Sequence, residues 1–208
     1  MRTLFLASYF AFVSDLLLPY LPKKPKDLKL AFIPTAADPY KVKPWFYGDK
    51  MKLKLMGFQM VDIDIKNKTK EQLYEALSTV DAIFVSGGNT YYLLEKAQTS
   101  GFLDVAKKLI DKGIIYIGSS AGSALACPII EYIEDFDDKS IAHLTSFKGM
   151  GLISKLIYPH YGEEKYKIKF QTIMNRWIAK GFDVLPLRND QVLVINGSKE
   201  EVLSTISP

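Results

Sequence analysis

Ile114-Ile115-Tyr116-Ile117-Gly118-Ser119-Ser120-Ala121-Gly122-Ser123-Ala124-Leu125-Ala126 decides the reading of this chain. The first four residues are continuously apolar, as a strand covered on both faces should be. The small residues from Ala121 onward favour a helix. Between them stands G-x-S-x-G, the spelling of a tight strand-to-helix turn that pushes a side chain outward at the C-terminal edge of a sheet. The flanking glycines, Gly118 and Gly122, relieve the crowding such a turn creates. Ser120 is the side chain so presented. The backbone N–H of Ala121, at the start of the helix, faces any negative charge that develops beside it. A purely structural glycine turn is the competing reading.

The same alternation extends in both directions. Thr3–Ala7, Leu28–Pro34, Met60–Ile65, Ala82–Val85 and Ile114–Ile117 read as strands. Lys50–Phe58, Lys70–Leu77, Thr90–Ala97 and Phe102–Lys112 read as helices, with Thr69 as an N-cap. Strand-helix alternation predicts an α/β fold with a mostly parallel central sheet between two helical layers. The apolar run Leu4–Val13 superficially resembles a secretory leader. Asp15 interrupts it and no clear small-x-small cleavage site follows, so it reads as a buried first strand running into a helix. After Pro128 the pattern loosens. Lys165–Ala179 reads as a helix, and Val184-Leu185, Val192–Ile195 and Val202–Ile206 as short closing strands, with a hairpin turn at Asn196-Gly197. The whole of 1–208 is expected to be one domain.

Composition narrows the function classes. The 208 residues are 48% hydrophobic and 24% charged, which excludes a disordered or fibrous chain. A net charge of +4 is too mild to imply nucleic acid. No apolar run is long enough for a membrane span. One cysteine, Cys127, and two histidines, His143 and His160, leave no material for a zinc or disulfide framework. No cofactor or metal is expected, and the cytoplasm is the expected compartment.

A second glycine turn, Ser86-Gly87-Gly88-Asn89-Thr90, ends the fourth strand. Neighbouring strand ends of a parallel sheet share one edge, where ligands bind. Gly88 N–H can then supply a second donor for a developing oxyanion beside Ala121. Asn89 is a candidate for substrate contact, and Thr90 reads as a helix cap. His160, in Tyr158-Pro159-His160-Tyr161-Gly162, is the candidate base for Ser120. His143, in Ile141-Ala142-His143-Leu144-Thr145, reads as part of an ordinary strand.

The Gly-Gly-Asn-Thr strand end, the Gly-x-Ser-Ala-Gly elbow and the Pro-His-Tyr turn resemble, in order and spacing, the dipeptidase E-like serine peptidases, which include aspartyl dipeptidases and, more distantly, cyanophycinases. Phe32-Ile33-Pro34-Thr35-Ala36 adds to the resemblance, which runs from Leu4 to Gly197. It implies a class I glutamine amidotransferase-like three-layer sandwich with serine at the amidotransferase cysteine position. It makes Ser120 the nucleophile, His160 the histidine, and Gly88 and Ala121 the oxyanion positions. The third triad member is open. The resemblance points to an acidic residue after the elbow, matched by Asp135 or Asp137. Near Leu187-Arg188-Asn189-Asp190, where some relatives carry glutamate, this chain has Asn189, with Asp190 next to it. Asparagine can orient a histidine as it does in papain-like enzymes. A dipeptidase must also bind a free ammonium, for which Glu131 and Asp135 are candidates. An N-terminal aspartate needs a cation, for which Arg188 is the candidate.

These readings converge on a serine exopeptidase acting on small peptides, as monomer or homodimer, with N-terminal aspartate preference as one option. Another amide or ester hydrolase competes, as does an inactive binding module that keeps the fold. An α/β-hydrolase esterase fits poorly with only 40 positions between Ser120 and His160, and a glutamine amidotransferase fits poorly with Cys127 outside the elbow.

Overall fold

Successive residues of the central strands point to opposite faces, and both faces are apolar. On one face Leu4, Leu6, Ala31, Ile33, Ile83, Val85 and Tyr116 build a core. On the other, Phe5, Ala7, Leu30, Phe32, Phe84, Ile115 and Ile117 build a second. A sheet with two buried faces needs a helical layer on each, and that is the architecture of the computed structural model. It describes residues 1–134, 136–164 and 167–206, with backbone alone at 167–169.

Five strands run parallel in the order β3-β2-β4-β5-β1, from β1 (Thr3–Ala7), β2 (Lys29–Ile33), β3 (Gln59–Asp62), β4 (Ala82–Val85) and β5 (Ile115–Ser119). The sheet is completed by β8 (Gln191–Asn196), antiparallel to β1, and β9 (Lys199–Ser204), which pairs with β8 through a turn at Gly197, φ +64°. A separate two-stranded sheet joins β6 (Leu156–Tyr158) to β7 (Val184–Pro186). Between the strands run α1 (Phe10–Val13), α2 (Pro44–Met56), α3 (Lys70–Leu77), α4 (Thr90–Ser100), α5 (Phe102–Asp111) and α6 (Ala121–Leu125), and α7 (Lys167–Ala179) follows β6. Helices α1 and α2 cover the Phe-rich face. There Phe32 and Phe84 stack at 5.2 Å between ring centroids and Phe10 meets Phe84 edge-on at 5.0 Å. Thr69 and Gln72 form a reciprocal capping box on α3.

The α/β sandwich with a mostly parallel sheet is as expected, and Leu4–Ala7 lie in its centre with no exposed surface. Several local expectations differ. The 184–186 strand does not close the main sheet. It pairs with β6 instead, because Leu156 N–H donates to Asp183 and Leu187 N–H to Tyr158. The third strand stops at Asp62 and is an edge, largely exposed; Met60 packs against the core in part, and Ile63 and Ile65, beyond its end, are buried. Helix α2 starts at Pro44 rather than Lys50, since proline at the first turn sacrifices no intrahelical bond. The last strand begins at Lys199, its register set by the Gly197 turn. His143 sits in exposed irregular chain, not in a strand. Among the described residues no helix is long and apolar enough to cross a membrane, and no cluster of residues suited to a metal ion occurs.

Candidate active site

The C-terminal ends of β4, β5 and β1 lie side by side, so the segments that leave them meet. β5 leads through Ser120 directly into α6. Ser120 has φ 50° and ψ −106°, a left-handed conformation unusual for a non-glycine residue. It is held there by its own amide, which donates to Ala7 O at 3.0 Å, and by Ala124 N–H, which donates to Ser120 O at 2.9 Å. The glycines on either side are steric necessities. A Cβ at Gly122 would stand 2.1 Å from Val85 O, and one at Gly118 would stand 2.6 Å from Ser123 N. Only a chain without side chains at both places lets the helix approach the sheet closely enough.

The Gly87-Gly88 turn packs against this elbow. A Cβ at Gly87 would lie 3.3 Å from the Ser120 Cβ. Gly88 has φ +147°, and a Cβ there would collide with Ala36 O at 2.0 Å. Among the described residues, neither the Gly88 nor the Ala121 amide has a protein acceptor. Asn89, expected to touch substrate, caps α4 in place of Thr90. Its Oδ1 accepts from Tyr92 N–H at 2.9 Å and its Nδ2 donates to Asp138 O at 2.9 Å, so both ends of the amide are engaged.

His160 arrives from the turn after β6, itself with φ 61°. Its amide donates to Ser8 Oγ at 2.7 Å. Its Nε2 lies 2.8 Å from Ser120 Oγ. Its Nδ1 lies 2.7 Å from Asn189 Oδ1, which stands in the turn between β7 and β8. An amide oxygen only accepts, so Nδ1 carries the proton and Nε2 offers its lone pair to the Ser120 hydroxyl. Asn189 is held in turn. Ser8 Oγ donates to its Oδ1 at 3.3 Å, and its Nδ2 donates to Glu163 Oε1 at 2.7 Å. Ser8 and Glu163 were not legible as site residues. Ser8 is a single small residue after a strand, and Glu163 has the look of a solvated carboxylate beside Glu164.

The other candidate acids that the structure describes have partners other than His160. Asp137 Oδ2 accepts from Thr90 N–H at 2.7 Å, and desolvation pushes its carboxyl up to about 6 against the lowering effect of the Thr90 hydrogen bonds. Asp190 is bound through both oxygens by Arg188, at 3.0 and 2.9 Å, and that pairing holds its carboxyl below the usual range. Arg188 is thereby occupied and exposed. Glu131 is exposed at the start of a 3-10 turn. Asp135 lies outside the described residues. Cys127 is buried behind the elbow, its thiol pushed up to about 11 by burial, with Tyr132 O–H and Ile157 N–H donating to its sulfur.

A cavity of about 500 Å³ opens over Ser120 and His160. Gly88 and Asn189 line it, with Tyr9, Tyr40, Trp45 and Phe136 as aromatic walls and Asp137 and Glu163 as carboxylates. Neither Glu131 nor Arg188 lines it, and among the described lining residues there is no lysine or arginine.

Comparison with known proteins places the chain among peptidases. The sequence profile of Peptidase family S51 matches residues 5–203. An uncharacterized peptidase of Listeria monocytogenes is 29% identical over the full length of both chains. A Peptidase E of a Nostoc species is 33% identical over 64% of this chain and 52% of its own. A Drosophila melanogaster protein named as a probable alpha-aspartyl dipeptidase is 31% identical over 65% of this chain and 58% of its own. The crystal structure of a Listeria monocytogenes protein, described as a candidate Peptidase E, superposes with a TM-score of 0.91 at 28% identity, covering 99% of this chain and 100% of that one. The chain belongs to peptidase family S51, a family of serine peptidases.

Proposed function

We propose that Ser120 is the nucleophile of this peptidase and His160 its general base. The observation that carries the reading is the unbroken chain Ser120 Oγ, His160 Nε2, His160 Nδ1, Asn189 Oδ1, with contacts of 2.8 and 2.7 Å. His160 takes the Ser120 proton as Oγ attacks the scissile carbonyl. The Gly88 and Ala121 amides receive the oxyanion, a stabilisation worth about 3–4 kcal/mol per donor. His160 then protonates the leaving amine. Water, deprotonated by the same histidine, releases the acyl group. Asn189 holds the imidazole in place throughout.

The substrate in this reading is a small peptide with a free N-terminus. Asp137 gives the cavity negative charge, which suits an ammonium group. Arg188, the residue expected to receive an N-terminal aspartate side chain, is committed to Asp190 outside the cavity. The aromatic walls favour a neutral N-terminal side chain over an acidic one. A panel of dipeptides with Leu, Phe, Gly or Asp at the N-terminus, each with its N-acetylated counterpart, tests this. Faster cleavage of the neutral, free-amino members supports the reading, and equal cleavage of acetylated peptides refutes it.

A further inference from the structure

We infer that Glu163 is a positioning residue of the reaction, locking the Asn189 amide in the one orientation that makes His160 a base. The inference rests on the proposed roles of Ser120 and His160. An asparagine is a poor substitute for a carboxylate in one particular respect. A carboxylate presents an acceptor to the imidazole whichever way it turns, whereas an amide rotated by half a turn presents a donor. With Asn189 Nδ2 toward Nδ1, the histidine would have to carry its proton on Nε2, where it could not take one from Ser120. Something must therefore forbid the rotation.

Two neighbours do so. Glu163 Oε1 lies 2.7 Å from Asn189 Nδ2. A carboxylate only accepts, so it tolerates the NH2 end of the amide and repels the oxygen end. Ser8 Oγ donates to Asn189 Oδ1 and accepts from His160 N–H, at 3.3 and 2.7 Å. With the amide rotated, Ser8 would face two donors and have no acceptor for its own proton. The negative charge of Glu163 also reaches His160 through the polarised amide and favours the imidazolium that forms during attack. The site thus divides between two residues what one carboxylate does in a Ser-His-Asp triad: Asn189 makes the contact and Glu163 supplies charge and polarity.

The test exploits the fact that the chain has two histidines, one of them exposed in irregular chain. Nitrogen-15 NMR of the full-length protein, with His143→Gln for assignment, reads the His160 tautomer directly. The wild type is expected to show Nδ1–H alone. Glu163→Gln lets residue 163 offer a donor to Asn189, so both tautomers should appear, with kcat down by on the order of tenfold and KM unchanged. The acid limb of its kcat profile should move to lower pH, because a neighbouring negative charge is gone.

Reversing the polarity supplies the rescue. Asn189→Asp alone sets two carboxylates against each other and should also lose activity. Glu163→Gln combined with Asn189→Asp restores a donor-acceptor pair, with the charge now on residue 189, and should recover kcat to within about threefold of wild type. A single Nδ1–H tautomer with unchanged kcat in Glu163→Gln overturns the inference, as does a double variant no better than the singles. The tautomer is read without turnover, so the role of Glu163 is judged separately from the peptidase assignments of Ser120 and His160.

Discussion

Asn189 Oδ1 stands 2.7 Å from His160 Nδ1, on the far side of the ring from Ser120. That contact joins two turns distant in sequence and fixes which nitrogen of His160 faces the serine. Replacing Asn189 by alanine frees the ring to rotate and change tautomer. In Asn189→Ala kcat should fall by about 100-fold with KM little changed, since the loss falls on the transition state. Steady-state kinetics on a cleaved dipeptide, beside a thermal melt showing an intact fold, checks it.

The glycine at the far end of the elbow is a packing residue. A Cβ at Gly122 would stand 2.1 Å from Val85 O, a backbone atom of β4 that cannot swing aside. Gly122→Ala should destabilise the protein by about 3 kcal/mol or more. Urea unfolding measures it, and a loss below about 1 kcal/mol would show that α6 can lift from the sheet.

Much of the fold was readable from such constraints. Nearly continuous apolar runs mark β1, β2, β4 and β5. The spacing of Gly118, Ser120 and Gly122 marks the turn between β5 and α6. What sequence could not resolve depends on contacts between distant segments. Nothing local distinguishes Asn189 from Asp190 or Asp137 as the neighbour of His160, because the choice is made by how the β7–β8 turn packs on the turn after β6. Asp190 is diverted by Arg188 and Asp137 by the Thr90 amide, each through a partner that position alone does not reveal. Asn89 became a cap because its amide finds Tyr92 N–H one helical turn on.

Asp49, on α2, has no exposed surface. Its Oδ1 accepts from Ala11 N–H at 2.9 Å, and its Oδ2 has no partner among the described residues. Burial pushes its carboxyl from 3.8 to about 7. The folded state therefore holds this proton where the unfolded chain has released it. The contribution of Asp49 to stability falls as pH rises from about 4 to about 7 and is level above that, a loss of up to about 4 kcal/mol. Asp49→Asn keeps an acceptor for Ala11 and removes the desolvated charge. Urea unfolding should find the variant more stable than wild type at pH 8 and the two nearly equal at pH 4.

Asp137 lines the cavity and is ionised above about 6. If it holds the substrate ammonium, KM for a free dipeptide rises as pH falls through that value, because the protonated acid has lost its charge. Asp137→Asn should raise KM about tenfold and abolish this pH dependence while leaving kcat within a few-fold. Kinetics from pH 5 to 8 decide it, an unchanged KM excluding Asp137 from ammonium binding.

Whether Ser120 is an activated nucleophile is read by labelling the purified protein with a fluorophosphonate beside Ser120→Ala and His160→Ala. Covalent modification of wild type at Ser120 is expected, with none in Ser120→Ala, strongly slowed labelling in His160→Ala, and dipeptide hydrolysis lost in both variants with their melting curves unchanged. Labelling that persists in Ser120→Ala, or dipeptide hydrolysis by either variant at the wild-type rate, would contradict that role of Ser120.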